Sequence, residues 1–182
     1  MPTLYLVRHG RAAAGWDSDP DPGLDETGLA QAEALAESMG ALGPLGVAVS
    51  PMRRTRETAA PLAGRWCTEP RVEPRVSEIV SPVQDLGERG EWLRRIAGQT
   101  WVEQDETLRA WRGALLDALL ELDRDTVVVT HFIAINAVVG HALGDDRVVH
   151  FRPDHCSVTV VRGDGARLIL EERGVEARTR VL

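Results

Sequence analysis

The sequence predicts an α/β protein, a three-layer α/β/α sandwich with a mostly parallel central sheet and a C-terminal antiparallel hairpin. Short, continuously apolar runs, typical of strands buried on both faces, alternate up to Leu143 with longer segments of helical periodicity. Beyond them, Ser157–Arg162 and Arg167–Glu172 flank a Gly-Asp-Gly turn, which is typical of a hairpin. At 182 residues the chain has the length of one domain, which we expect to span residues 1–182.

The parallel strands are predicted from four short runs. In chain order they are Leu4–Val7, Val47–Val49, Arg71–Val76 and Thr126–Thr130. Because proline cannot donate a hydrogen bond to a neighbouring strand, Pro74 restricts the third run to a sheet edge. Residues 77–90 contain two glycines, one proline and several polar residues, and we predict a loop there, followed by a short amphipathic segment.

The helices are predicted from apolar residues that recur every three or four positions. Asp25 is a candidate N-cap for the first helix. Pro51 suits the first turn of the second helix, which we expect to end near Arg65. Thr107–Leu122 has the clearest helical periodicity, and Phe132–Leu143 is apolar nearly all round, which predicts a buried helix.

Composition limits the classes of partner and compartment. The apolar fraction of 43% and the charged fraction of 27% are ordinary for a globular protein. The formal net charge of −7 argues against nucleic acid or an anionic membrane as the main partner. We expect no signal peptide, since the first apolar run meets Arg8, and no membrane span, since Phe132–Gly140 is too short for one. Cys67 and Cys156 are predicted to be free thiols, which suits a cytoplasmic protein.

The chain contains 21 arginines and no lysine, so arginine is its only strongly basic residue type. This excludes chemistry that depends on lysine, such as a Schiff base or the lysine of a P-loop. Any phosphate site must therefore draw its strong cations from arginine, whose planar guanidinium can bind two phosphate oxygens at once.

Chemically reactive side chains follow each of the predicted parallel strands. They are Arg8 and His9 after the first strand, Arg53 and Arg54 in the first turn of the helix after the second, Glu78 after the third and His131 after the fourth. The carboxyl ends of parallel strands meet at one edge of the sheet, where ligands bind in open α/β folds. The sequence therefore predicts one site with two histidines, at least two arginines and a carboxylate, a set suited to phosphate.

Five sequence blocks resemble those of the histidine phosphatase superfamily, the phosphoglycerate-mutase-like group. In the family's order along the chain, they are Arg8-His9-Gly10, Leu24–Ala32 (LDETGLAQA), Ser50–Ala59 (SPMRRTRETA), Val76-Ser77-Glu78 and Val127–His131 (VVVTH). Together they cover most of the chain to about residue 140. The alignment of the third block makes Arg54, rather than its neighbour Arg53, the family's phosphate-binding arginine.

The resemblance implies a phosphoric monoester hydrolase that works through a phosphohistidine on His9. Arg8, Arg54 and His131 would bind the phosphoryl oxygens, and Glu78 would donate a proton to the leaving group. This chemistry fits general principles, because a neutral histidine can attack phosphorus while the arginines stabilise the equatorial oxygens. The resemblance implies neither a metal nor another cofactor, and the chain has no HExxH motif or paired Cys/His spacing typical of zinc.

Two positions depart from the family pattern near the site. Arg11 stands where the family often has Glu or Gln, and it adds a cation that could bind substrate. Phe132 follows the second histidine, where small residues are common, and it could form a wall of the substrate pocket.

Glu78 is followed by Ile79, and the chain has neither the mutase-type loop nor long cap insertions, which favours a phosphatase over a mutase.

Several alternatives stay open at this stage. The enzyme could be a phosphoglycerate-type mutase or a protein phosphohistidine phosphatase, and a non-catalytic module that binds phosphorylated ligands is the alternative from another class. We expect a small phosphorylated metabolite as substrate, with a phosphoprotein as the alternative. Glu73 and Asp85 could replace Glu78 as the acid. Of the remaining histidines, we interpret His141 and His150 as structural, whereas His155 precedes the hairpin at the predicted site edge and could lie on the rim.

Overall fold

The computed structural model describes residues 1–15 and 18–177 and contains one six-stranded sheet. Its strands are β1 (Thr3–Arg8), β2 (Gly46–Val49), β3 (Arg71–Val72), β4 (Thr126–Thr130), β5 (Val158–Gly163) and β6 (Leu168–Glu172). They lie in the order β3-β2-β4-β1-β5-β6. The first four are parallel, whereas β5 is antiparallel to β1 and forms a hairpin with β6. The predicted fold class is confirmed.

Helices connect the strands. They are α1 (Glu26–Met39), α2 (Arg53–Trp66), α3 (Leu86–Ile96), α4 (Glu106–Leu120) and α5 (Phe132–Leu143), with 3-10 turns at Gly40–Leu42, Pro74–Val76 and Trp101–Glu103. Within the described ranges, no helix combines the length and apolar character needed to cross a bilayer.

Alternating side chains of the central strands supply two hydrophobic cores, one on each face of the sheet. Leu6 of β1 and Val128 of β4 point to one face, where they pack with α3, α4 and α5. Val7 and Val129, the next residues along those strands, point to the other face and pack with α1 and α2. Burial on both faces explains why these strands are continuously apolar in the sequence.

The region between β2 and α4 departs most from the prediction. The predicted strand Arg71–Val76 is correct only for its first two residues, because Pro74 begins a 3-10 turn and the Glu73 side chain accepts a hydrogen bond from the backbone N–H of Arg75. The loop predicted over residues 77–90 is wrong in its second half. Asp85 caps α3 there by accepting from the N–H of Glu88 at 3.2 Å. Two glycines in the first turns of α3 weaken its helical signal.

The other helix boundaries differ by a few residues. Pro51 is not in the first turn of α2, which begins at Arg53, because residues 51–52 form a bend before it. Helix α4 begins at Glu106 rather than Thr107, since the Asp105 side chain accepts from the N–H of Leu108. The Asp25 cap of α1 is confirmed: its carboxylate accepts from the N–H of Gly28 at 2.8 Å.

Candidate active site

The carboxyl ends of β1, β2 and β4 lie side by side at one sheet edge. The His9 N–H donates to the Thr130 carbonyl at 3.0 Å, and the Ser50 N–H donates to the Val129 carbonyl at 3.3 Å. These backbone bonds extend the parallel pairing just beyond the strands. As a result, the side chains that follow the three strands converge on one crevice, as the sequence predicted.

His9 is held as a neutral imidazole, and one of its ring nitrogens has no hydrogen-bond partner in the part of the chain that the structure describes. Its Nδ1 lies 2.8 Å from the Gly10 carbonyl, and because a carbonyl can only accept, the proton must be on Nδ1. Nε2 is then unprotonated and carries the lone pair. Burial and the nearby cations of Arg54 and Arg8 lower the pKa of His9 well below its usual value. The ring is therefore neutral at physiological pH.

Gly10 allows the turn after His9 to pack tightly against α1. A Cβ at this position would lie 2.8 Å from the Gly28 carbonyl oxygen, closer than such contacts allow. The Gly10 N–H donates to Thr58 Oγ1 at 2.9 Å, and that hydroxyl donates to the Arg54 carbonyl at 2.7 Å. Thr58 thus joins the backbone that carries His9 to the helix that carries Arg54.

Arg8 is buried and aimed by contacts on two sides. Its Nη1 donates to the Pro153 carbonyl at 2.9 Å, and its guanidinium carbon lies 5.3 Å from the centre of the Phe132 ring. Burial lowers the pKa of Arg8 to about 10, against the opposing effect of Glu78. Its Nε is buried without a hydrogen-bond partner among the described residues.

Arg54 and His131 contact each other in the buried part of the crevice. Arg54 Nη2 lies 3.3 Å from His131 Nδ1, and His131 Nε2 lies 2.8 Å from Ser50 Oγ. A guanidinium can only donate, so His131 accepts at Nδ1 and donates from Nε2 to Ser50. Ser50 in turn contacts Thr55 Oγ1 at 2.8 Å. Burial and the neighbouring His9, Arg54 and Arg8 lower the pKa of His131 well below its usual value, which leaves it neutral.

Glu78 lies against the amino terminus of α5, which follows His131. Its two carboxylate oxygens accept from the backbone N–H groups of Ile79 at 3.0 Å, Ile133 at 3.2 Å and Ala134 at 3.3 Å. Loss of contact with water raises the pKa of Glu78, although these bonds and Arg54 act in the opposite direction. Thr130 Oγ1 donates to the Val76 carbonyl at 2.6 Å and fixes the turn that leads into Glu78.

Two buried guanidinium N–H groups in this crevice lack partners. Besides Arg8 Nε, Arg54 Nη1 has no hydrogen bond within the described part of the chain. A buried unpaired donor costs about 1–3 kcal/mol, more when it is charged. Burial also lowers the pKa of Arg54, against the opposing effect of Glu78, Asp21 and Asp19. The arrangement favours binding of an anion beside His9.

The two remaining residues that were expected to bind substrate, Arg11 and Phe132, differ in burial. Arg11 is exposed at the mouth, where its Nε contacts Asp25 Oδ2 at 2.5 Å, so part of its charge is already neutralised. Phe132 is buried against the Arg8 guanidinium. Neither contact tests whether these residues touch a substrate, and that role stays a prediction.

The structure does not bring Glu73 and Asp85, the alternatives to Glu78, into the same hydrogen-bond network. Glu73 pairs with Arg75 at 2.9 Å, and Asp85 caps α3. His141 is exposed in the last turn of α5, whereas the His155 ring lies 6.0 Å from that of His9, between centroids.

Several supporting residues were not singled out from the sequence. The hydroxyls of Thr58 and Thr130 could have been found, because Thr58 follows Arg54 by one helical turn and Thr130 directly precedes His131. The Pro153 carbonyl carries no sequence signal, since any residue has one. Among the described residues, no group of three or more His, Cys, Asp or Glu side chains is arranged to hold a metal ion.

The family model of the histidine phosphatase superfamily (branch 1) matches residues 4–175. The chain therefore belongs to this superfamily. A probable phosphoglycerate mutase GpmB of Photorhabdus laumondii subsp. laumondii is 29% identical over 163 residues, which cover 79% of this chain and 76% of that protein. A PE-PGRS family protein, PE_PGRS11 of Mycobacterium tuberculosis, is 43% identical over 82 residues, 42% of this chain but only 14% of the relative.

Solved structures of phosphatases share the fold. A mycobacterial glucosyl-3-phosphoglycerate phosphatase in complex with VO3 superposes with a TM-score of 0.74 at 22% identity, covering 97% of this chain and all of the other (100%). A phosphoserine phosphatase from Entamoeba histolytica in complex with 3-phosphoglyceric acid has a TM-score of 0.74 at 17% identity, with 98% of each chain covered. At these identities the likeness extends to the fold alone.

Proposed function

We propose that the protein is a metal-independent phosphatase that hydrolyses phosphomonoesters through a phosphohistidine on His9. The observation that carries this proposal is a neutral His9 beside two buried guanidinium groups. Among the described residues, Nε2 of His9 and one N–H donor of each guanidinium have no hydrogen-bond partner. In the first step Nε2 attacks phosphorus and the bond to the leaving oxygen breaks. In the second step water attacks the phosphohistidine, and phosphate leaves.

Arg8, Arg54 and His131 bind the phosphoryl oxygens in this scheme. The arginines supply fixed positive charge where negative charge spreads over the equatorial oxygens in the transition state. His131 is neutral before substrate binds and accepts from Arg54 at Nδ1. Arrival of a phosphate dianion raises its pKa, so a proton on Nδ1 can then donate to an oxygen.

Glu78 acts as the proton donor and then as the base. Because burial raises its pKa, the Glu78 carboxyl holds a proton more readily than an ordinary glutamate and can give it to the leaving alkoxide. The resulting carboxylate can take a proton from the attacking water. Its hydrogen bonds to the start of α5 hold it in position through both steps.

We propose a small phosphorylated metabolite as the substrate. The names of the two structural relatives, a glucosyl-3-phosphoglycerate phosphatase and a phosphoserine phosphatase, support this class. None of the comparisons supports a phosphoprotein. The free thiols of Cys67 and Cys156 favour a cytoplasmic location.

A phosphoglycerate-type mutase is the second candidate, and the relative named as a probable mutase favours it. A mutase would return the phosphoryl group of phospho-His9 to an acceptor alcohol rather than to water. Release of inorganic phosphate without an added acceptor therefore distinguishes the two enzymes.

Phosphate release from p-nitrophenyl phosphate tests the proposal. We expect wild-type turnover to be equal with and without EDTA, and His9→Ala to lose roughly three or more orders of magnitude in kcat. His141→Ala, which alters an exposed histidine at the end of α5, serves as the matched control and should retain wild-type kcat. Equal activity of His9→Ala and wild type, or loss of wild-type activity in EDTA, would refute the mechanism.

A further inference from the structure

His155 has no part in the mechanism above, although its ring lies beside the proposed nucleophile. The centroids of the His155 and His9 rings are 6.0 Å apart, and the ring planes are inclined by 54°. Two residues earlier, the Pro153 carbonyl accepts the hydrogen bond from Arg8. The same short segment before β5 therefore holds both Arg8 and His155 at the site.

The ring nitrogens of His155 are available to a ligand. Within the described residues, neither nitrogen has a hydrogen-bond partner: the Asp154 carboxylate is 3.9 Å from Nδ1, beyond hydrogen-bond distance. That carboxylate accepts from the backbone N–H of His155 instead, at 2.8 Å. The side chain of His155 is 22% exposed, so a ligand can reach the imidazole, while the bond to Asp154 fixes its backbone.

Charged groups of both signs act on His155. They include Arg8, which is buried, and the pair that Arg11 forms with Asp25, of which Arg11 is exposed. Burial and Arg8 lower the pKa of His155 to about 4. At neutral pH the ring therefore offers one hydrogen-bond donor and one acceptor, with no charge.

We propose that His155 determines specificity by binding a hydroxyl group of the leaving alcohol, and that the substrate is the phosphomonoester of a polyhydroxylated alcohol or sugar. A hydroxyl both donates and accepts, which matches a neutral imidazole. The charges around the ring, Arg8 and Arg11 on one side of the balance and Asp154 and Asp25 on the other, act in opposite directions. The inference rests on the proposed phosphatase function and extends it to the class of leaving group.

Two three-carbon phosphates test the inference. Glycerol 1-phosphate and propyl phosphate have the same primary ester but differ by two hydroxyl groups. We expect the wild-type ratio of their kcat/KM values to favour glycerol 1-phosphate by roughly fivefold to tenfold, the value of about one hydrogen bond. The ratio should fall to about one in His155→Ala and in His155→Phe. His155→Gln keeps a donor and an acceptor, so it should retain at least half of the wild-type ratio. His141→Ala should leave the ratio unchanged.

The possible results separate this inference from the function on which it rests. If the wild type turns over both phosphates and His155→Ala keeps the wild-type ratio, the inference is wrong and the phosphatase function stands. An equal loss on both phosphates in His155→Ala also overturns the inference, because it indicates a contact with the phosphoryl group or a structural role. If the wild type turns over neither these phosphates nor p-nitrophenyl phosphate, the phosphatase function itself is refuted.

Discussion

Two ordinary hydrogen bonds determine which nitrogen of each central histidine faces the crevice. His9 is bonded through Nδ1 to a backbone carbonyl, so Nε2 is free, whereas His131 is bonded through Nε2 to Ser50, so Nδ1 faces Arg54. The two rings lie 5.3 Å apart, between centroids, and are therefore close enough to act on one ligand. Their opposite tautomers match the roles proposed here, a nucleophile and a phosphate-binding group.

The pH dependence of kcat/KM tests the role of Glu78. Since the pKa of Glu78 is raised and the protonated form is the donor, kcat/KM for an alkyl phosphate should fall as pH rises through that pKa. Glu78→Gln cannot lose a proton, so this part of the profile should disappear, with an overall loss of about 100- to 10,000-fold at the optimum. The substrate's own titration, near pH ~6, remains in both enzymes and serves as the internal control. An unchanged profile shape in Glu78→Gln would contradict the assignment.

Sequence patterns predicted the residues that meet at the site better than the contacts that orient them. Arg8, His9, Arg54 and His131 follow predicted strands, so a parallel sheet alone brings them together. Glu78 follows a turn rather than the predicted strand, and its position depends on hydrogen bonds to α5 and on the bond from Thr130 to the Val76 carbonyl. Such contacts join residues more than 50 positions apart, and no local pattern encodes them.

At the scale of elements, the close packing of α1 against the turn after β1 fixes the approach to His9. Gly28 lies in the first turn of α1, and a Cβ there would be 2.1 Å from the Arg11 carbonyl oxygen. Its N–H also bonds to the Asp25 cap. Only glycine fits at position 28, between the backbone of α1 and that of Arg11. This explains in steric terms why a glycine stands in the block Leu24–Ala32.

Gly28→Ala should therefore destabilise the fold. We expect a loss of about 1–3 kcal/mol in the free energy of unfolding, as is typical of overpacking, measured by urea denaturation. The control is Gly64→Ala in α2, where a Cβ would have nothing within 4 Å and should add about 0.5–1 kcal/mol through helix propensity. Equal stability of Gly28→Ala and wild type would show that the backbones can separate at no cost.

The secondary structure of residues 71–90 was predicted least well, because its elements are short or contain glycine. The two-residue strand β3 makes only a short ladder with β2, so tertiary contacts rather than periodicity decide where it ends. Helix α3 is stabilised by its buried Trp92 and Ile96, which offset the low helix propensity of its glycines. By contrast, β4 and α5 are buried almost throughout. Their boundaries were predicted correctly because burial leaves a continuous apolar signal.

At the scale of the whole molecule, a protein with a net charge of −7 concentrates buried positive charge at one edge of its sheet. Two guanidinium N–H groups there, Arg8 Nε and Arg54 Nη1, are buried without a hydrogen-bond partner among the described residues. Their desolvation opposes folding, and an anion that pairs with them should therefore stabilise the native state. That residues 1–182 form a single domain stays a prediction.

Inorganic phosphate should raise the thermal unfolding temperature of the whole protein. At 100 times its dissociation constant, a ligand that binds only the native state adds about 2.7 kcal/mol. For a protein of this size that corresponds to roughly 5–10 °C in Tm, measured by calorimetry. Arg54→Ala should lose most of the shift, whereas Arg94→Ala, at an exposed position of α3, should keep it. An equal shift in both variants would mean that phosphate binds elsewhere.

The most direct test of the central claim is rapid acid-free quenching of the enzyme during turnover of an aryl phosphate, followed by mass spectrometry of its peptides. The mechanism predicts an acid-labile phosphoryl group on the peptide that contains His9, formed and lost at rates compatible with kcat, and absent from His9→Ala. Turnover with no phosphorylated His9, or with the phosphoryl group on another residue, would contradict it.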